Sequence, residues 1–110
     1  MEEAWFVYVL RCADGSFYTG IAKDVAARIA QHEAGKGAKY TRGRGPFVLC
    51  AKKKCASQSD ALRLELAVKA LSKDEKLRRV SSSQRLAAFV RHLIRRDTVA
   101  ASTKRKRKGE

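Results

Sequence analysis

The strongest constraint on the fold lies near the start of the chain, where residues 5–12, WFVYVLRC, form an apolar run rich in aromatic and β-branched side chains. Ala13 to Ser16 follow with an Asp-Gly pair, and residues 17–21, FYTGI, form a second such run. Two strand-forming runs joined by a glycine-containing turn specify a β-hairpin. Asp24 is placed to cap a helix running to about Glu33 and ended by Gly35. The segment KGAKYTRGRGP at 36–46 holds three glycines, the only proline and several basic residues, which is loop chemistry. Residues 47–55 read as a third strand. Ser57 with Asp60 opens a helix to about Leu71, and Ser72 with Glu75 opens a short one to about Val80. From Gln84 to Arg96 a last helix sets Leu86, Phe89, Val90, Leu93 and Ile94 on one stripe, with Arg85, Arg91 and Arg95 turned away. The expected architecture is therefore α+β: one three-stranded antiparallel sheet flanked by helices, in the order β-β-α-β-α-α plus a C-terminal helix.

A chain of 110 residues has room for one domain. That domain is expected over 1–97, with a basic, unstructured tail over 98–110. Hydrophobic residues make up 45% of the chain, enough to build a core and to exclude a wholly disordered protein. Charge is the extreme feature, with 25 Lys plus Arg against 11 Asp plus Glu and a formal net charge of +14. Lys104 to Lys108 contribute five positive charges and Glu110 one negative, which leaves +10 over residues 1–97, so the folded part is itself basic. A surplus of this size points to a polyanion as partner, nucleic acid first and an anionic membrane surface second. Membrane association through the last helix would require its apolar stripe to be exposed.

No stretch approaches the roughly 18 consecutive apolar residues of a membrane span, and the start at Glu2 and Glu3 lacks the blocks of a signal peptide. A cytoplasmic protein is expected. Cys12, Cys50 and Cys55 are odd in number and form no paired CxxC, so they read as reduced thiols rather than a disulfide framework or zinc site.

Four groups of residues are candidates for chemistry. Tyr8 and Tyr18 sit on the hairpin, and its register decides whether they share a face. A tight two-residue turn puts them on opposite sides, whereas one more residue or a bulge puts them on the same side. On the following helix Arg28 and His32 lie together at i, i+4. Glu65 falls between two apolar groups of its helix, Leu64, Val68 and Leu71 on one side and Leu62 and Leu66 on the other, and it can pair with Lys69. The basic loop offers Lys36, Lys39, Tyr40, Arg42 and Arg44 as contacts to a nucleic-acid backbone, with Tyr40 able to stack on a base.

The ordered set FVY ending at Tyr8, YTG at Tyr18 to Gly20, Arg28, His32 and ALRLE ending at Glu65 resembles the GIY-YIG nuclease superfamily, especially its small stand-alone bacterial members. The likeness covers roughly residues 5–80. What the resemblance implies is metal-dependent hydrolysis of DNA phosphodiester bonds. By that analogy Glu65 holds one Mg²⁺ or other divalent ion, Arg28 contacts the scissile phosphate, Tyr8 and Tyr18 orient or deprotonate the attacking water, and His32 stands near the nucleophile. No small-molecule cofactor is implied. Some active members carry a lysine where this chain has Ile21, for which Lys23, a further candidate nucleic-acid contact, either substitutes or points away, and an asparagine beyond the glutamate where this chain has none. These departures motivate an alternative, a non-catalytic nucleic-acid-binding accessory protein on the same fold. With no separate DNA-reading module in these residues, selection by the structure of the nucleic acid rather than its sequence is expected.

Overall fold

The computed structural model describes the backbone of residues 4–108 and the side chains up to Arg95. Strands β1 (Trp5–Arg11), β2 (Phe17–Ala22) and β3 (Val48–Cys55) form one antiparallel sheet in the order β2-β1-β3. Helix α1 (Val25–Glu33) follows β2, and α2 (Gln58–Lys69), α3 (Lys73–Arg79) and α4 (Ser83–Lys108) follow β3. The strand and helix order is the one expected. Asp24, Ser57 and Ser72 each cap a helix through the side chain, accepting from Ala27 N, Asp60 N and Glu75 N.

β1 is the central strand and helices cover both faces of the sheet, which is why it reads as a continuous apolar run rather than an alternation. Val7 and Val9 face the helices α2 and α4 and join Phe17, Ala51, Ala61, Leu64, Val68, Val80, Leu86 and Phe89 in the main core. Tyr8 and Leu10 face the other way, where Val25 and Ile29 of α1 cover them with Phe6, Tyr18 and Phe47. The sheet thus separates a large apolar core from a thinner layer that contains aromatic hydroxyls.

The hairpin turn settles the tyrosine register. Cys12 N donates to Ser16 O at 2.8 Å and Gly15 N to Cys12 O at 2.9 Å, so the loop is Ala13, Asp14 and Gly15, closed by Gly15 at φ 83°. A three-residue loop of this kind places a residue in the left-handed region, where glycine is free of the Cβ penalty. The resulting pairs, Tyr8 with Gly20 and Leu10 with Tyr18, put both tyrosines on the α1 face.

Two expectations about helices need correction. α4 was expected over 84–96 with an unstructured tail after it, yet the helix runs to Lys108. Residues 97–108 contain no Gly or Pro, and two consecutive alanines plus Lys and Arg are good helix formers, so nothing local stops the helix. Residues 1–3 and 109–110, including the ends of the expected domain and tail, lie outside the described residues. Within the apolar stripe of α4, Leu86 and Phe89 are buried, but Ile94 is exposed. Phe89 is buried in the main core while Val90 and Leu93 pack partly against it, so most of the stripe is covered, and among the described residues no helix is long and apolar enough to cross a membrane. Arg85 does more than face solvent, because its Nη1 reaches the carbonyls of Leu77 and Arg78 at the end of α3. All three cysteines are unbridged.

Candidate active site

The α1 face of the hairpin brings four of the sequence candidates together. Tyr8 is fully buried, and its hydroxyl lies 2.8 Å from His32 Nε2. The Tyr18 ring sits edge-on to His32 at 5.1 Å and tilted to Tyr8 at 6.2 Å. Arg28, one turn before His32 on α1, acts electrostatically on both Tyr8 and His32 and is braced by Gln31 Oε1 at 2.7 Å. The glycine of YTG makes this crowding possible: a Cβ on Gly20 would stand 2.5 Å from the Tyr8 hydroxyl oxygen. Any side chain there would push Tyr8 away from His32.

Electrostatics follow from burial. Desolvation pushes the Tyr8 hydroxyl up to about 12, helped by Tyr18 and opposed by the Arg28 guanidinium and its hydrogen bond. His32 is shifted the other way, below its usual range, by burial first and by Arg28 second. Both effects favour uncharged groups, a neutral phenol beside a neutral imidazole. The cluster is therefore set up to hold one proton between two atoms, with a cation beside it.

Glu65 belongs to the other side of the sheet, where its helix packs on the main core. It lies on α2, pairs with Lys69 Nζ at 3.4 Å, and leaves 14% of its side chain exposed. Lys69 in turn lines a cleft of about 270 Å³ with Phe17, Tyr18, Thr19, Tyr40 and Lys76. That cleft wraps around β2, an edge strand, and so links α2 to the tyrosine face. The expectation that Glu65 is flanked by apolar groups on both sides is half right. Leu64 and Val68 are buried, whereas Leu62 and Leu66 are 42% and 66% exposed, because only one face of α2 meets the sheet.

The basic loop is partly packed against the cluster and partly exposed. A 3₁₀ turn at Lys39–Thr41 projects Tyr40, whose ring stacks on Tyr18 at 6.0 Å and 25°. Arg44 lies over the ring of Tyr40, 4.3 Å from its centroid, and pairs with Asp14 of the hairpin turn at 2.6 Å. Ser16 and Arg44 together hold the Asp14 carboxyl below its usual range. Lys36, Lys39 and Arg42 are exposed on this loop. Lys23 stands apart from the cluster, its ammonium 5.2 Å over the ring of Trp5, which packs against the main core.

Comparison with known proteins places this arrangement. A family model for the GIY-YIG catalytic domain matches residues 4–78. The chain belongs to the GIY-YIG family. It is 51% identical over 77 residues to a UPF0213 protein of Cupriavidus pinatubonensis, covering 70% of this chain and 86% of that one. A UPF0213 protein of Oceanobacillus iheyensis is 49% identical over 78 residues, covering 71% and 91%. The solution structure of a protein from E. faecalis is 35% identical, with a TM-score of 0.52 over 84% of this chain and 90% of that one. GIY-YIG domains form a nuclease family, which implies a nucleic acid as substrate and, in general, a divalent metal.

One residue of this GIY-YIG domain escaped the sequence reading. Thr41 is buried and its Oγ1 lies 2.8 Å from His32 Nδ1, on the side of the ring opposite Tyr8. A faint signal existed: a single Thr among Lys, Tyr, Arg and Gly is unlike its neighbours in a loop of exposed residues. Gly37 also matters, since its backbone passes against the His32 ring and a Cβ there would overlap Nδ1.

Proposed function

We propose that this GIY-YIG domain is a metal-dependent nuclease that hydrolyses phosphodiester bonds of DNA and selects its substrate by structure and accessibility. One observation carries the reading: Tyr8, Tyr18, Arg28 and His32 converge on one face of the hairpin, with the Tyr8 hydroxyl hydrogen-bonded to a buried His32. Phosphodiester hydrolysis needs charge stabilisation at the phosphate, a base for the attacking water and help for the leaving oxygen. In this reading the Arg28 guanidinium binds the scissile phosphate. Tyr8 takes a proton from the attacking water while its own proton passes to His32 Nε2, so no free phenolate has to form in a site where burial disfavours it. Tyr18, edge-on to His32, orients the water.

Glu65 is the residue suited to hold the metal. Among the described residues no group of three or more His, Cys, Asp or Glu could enclose an ion. A single carboxylate with water and substrate phosphates is nonetheless the donor set that Mg²⁺ accepts, so the residues fit a hard divalent ion of that type. Such an ion, when bound, supplies Lewis-acid charge neutralisation at the phosphate. Lys69 pairs with one carboxylate oxygen, Oε2, and the pair does not exclude a metal on the other. Lys36, Lys39, Tyr40, Arg42 and Arg44 contribute sequence-independent contacts to the backbone of the substrate, and Lys23 lies outside that set.

The decisive experiment incubates the purified chain with single-stranded, branched and duplex DNA in Mg²⁺ or Mn²⁺ and in EDTA. Cleavage that requires the metal and is lost in Glu65→Gln and Arg28→Ala, with the far-UV spectrum unchanged, supports the nuclease. A second reading, a nucleic-acid-binding module without catalysis, draws on Ile21 and on the Glu65–Lys69 ion pair. It predicts salt-sensitive binding that Glu65→Gln leaves unchanged and no cleavage on any substrate of the panel.

A further inference from the structure

We infer that Thr41 is a positioning residue that fixes the tautomer of His32 and so sets the direction in which the Tyr8 proton moves. The inference rests on the catalytic reading for its use, but on hydrogen-bond geometry alone for its content. Thr41 Oγ1 lies 2.8 Å from the carbonyl oxygen of Ala38 and 2.8 Å from His32 Nδ1. A carbonyl oxygen only accepts, so the single hydroxyl hydrogen of Thr41 is used on Ala38. Turning that hydrogen toward Nδ1 would leave two oxygens 2.8 Å apart with no proton between them. His32 Nδ1 is therefore the donor to Thr41. A neutral imidazole carries one N–H, which leaves Nε2 with its lone pair facing Tyr8. The Tyr8 hydroxyl, 2.8 Å away, then donates to Nε2.

The chain of donors runs one way, from Tyr8 through His32 and Thr41 to the Ala38 carbonyl, and it ends there because that oxygen has no proton to pass on. Reversing it would place N–H on Nε2, make Tyr8 the acceptor and leave the imidazole nothing with which to take the phenol proton. With the observed polarity, a proton leaving water for Tyr8 Oη is matched by the Tyr8 proton moving to Nε2. The hydroxide oxygen bonds to phosphorus, the bond to the leaving oxygen breaks with its electron pair, and solvent protonates that oxygen. His32 ends as an imidazolium with Nδ1–H still on Thr41.

Position in the fold makes Thr41 more than a local partner. It belongs to the same 3₁₀ turn as Lys39 and Tyr40, so the segment offered to the substrate backbone also holds the imidazole. The turn is closed by Thr41 N to Ala38 O at 3.0 Å and Arg44 N to Thr41 O at 3.1 Å, and Arg44 ties it to the hairpin through Asp14. Gly37 contributes by absence of a side chain, leaving the ring room to reach Thr41.

The test is long-range ¹H–¹⁵N correlation of the imidazoles in the labelled full chain near neutral pH, where the two-bond coupling pattern distinguishes Nδ1–H from Nε2–H. The chain has two histidines, so His32 is assigned by comparison with His92→Gln. The expected result is His32 as Nδ1–H in the wild type, retained in Thr41→Ser and in Tyr8→Phe, and lost in Thr41→Val. An Nε2–H signal for His32 in the wild type overturns the inference, as does its persistence as Nδ1–H in Thr41→Val. A switch in Tyr8→Phe also overturns it, because Tyr8 would then be setting the tautomer. Should Thr41→Val fail to fold, the wild type, Thr41→Ser and Tyr8→Phe still decide. None of these readouts uses cleavage, so a failed nuclease assay and a failed tautomer assignment are separate results. In a cleaving enzyme Thr41→Val lowers kcat by about ten- to a hundredfold, part of what a positioned base supplies, with KM unchanged and with recovery in Thr41→Ser.

Discussion

The two faces of the sheet are built from alternate residues of the same strand and differ in almost every other respect. Val7 and Val9 point into an apolar core closed by α2 and α4, whereas Tyr8, one residue away, points into a layer where hydroxyl, imidazole and guanidinium groups meet under a single short helix. The contrast shows how a small domain divides its tasks. One face supplies most of the apolar burial that offsets chain entropy. That lets the other face bury Tyr8, His32 and Thr41 in hydrogen bonds whose net contribution to stability is modest.

The comparison breaks most visibly on the core side. Leu86→Ala removes a fully buried side chain from the main core and is expected to cost about 2–5 kcal/mol in urea denaturation. At temperatures where that variant remains folded, its tyrosine–histidine cluster and any cleavage should persist. Tyr8→Phe probes the opposite face. It deletes one hydroxyl, leaves His32 Nε2 without its donor and should cost about 1–3 kcal/mol, measured the same way. Its effect on cleavage should be far larger than its effect on folding, with activity lost while the fold is kept.

A third prediction uses pH. His32 is held below its ordinary value in the folded state, by burial and by Arg28, while in the unfolded chain it takes up a proton near 6.5. Below that point the unfolded chain binds more protons than the folded one, so stability is full above about pH 6.5 and declines as pH falls beneath it. The urea midpoint of the wild type should therefore drop between pH 7.5 and 5.5, and that of His32→Gln should drop less. At the alkaline end the sign reverses for Tyr8, whose proton leaves the unfolded chain near 10 but the folded one only at about 12. Stability should fall as pH rises past 10, and Tyr8→Phe should flatten that slope. An equal slope in the variant would mean that the buried hydroxyl is not the group responsible.

The smallest effects belong to the surface. Arg44→Gln breaks an ion pair with partners 38% and 47% exposed and should barely move the urea midpoint. Lys39→Gln should leave stability within about 0.5 kcal/mol. It should also reduce the slope of log binding constant against log salt by about one in a DNA titration. If Arg44→Gln instead shifted His32 in the NMR spectrum, the coupling of the loop to the cluster would be stronger than an exposed ion pair suggests.

Much of the fold was legible because the signals are local. The hairpin runs, the caps at Asp24, Ser57 and Ser72 and the helical stripes depend on residues within a few positions of one another. The site was legible in part. Tyr8, Tyr18, Arg28 and His32 stood out by spacing, but whether the tyrosines shared a face depended on one residue of loop length. Thr41 was not singled out, since its partner is nine residues away across an irregular loop and no periodicity connects them. Leu62 and Leu66 misled for a related reason: a wheel orders a helix's faces but does not say how many of them meet a neighbour.

By itself, then, the sequence determined the order of strands and helices, the basic charge and the set of side chains able to handle a phosphodiester. Only the tertiary structure decided that Tyr8 and Tyr18 lie together, that the helix carrying Glu65 packs on the other face of the sheet, and that a loop threonine orients His32. Local propensity acts along the chain, where a few residues suffice. A proton's direction is set by partners 24 and 9 residues from His32 along the chain, and those meet only when the sheet, α1 and the loop have closed on each other.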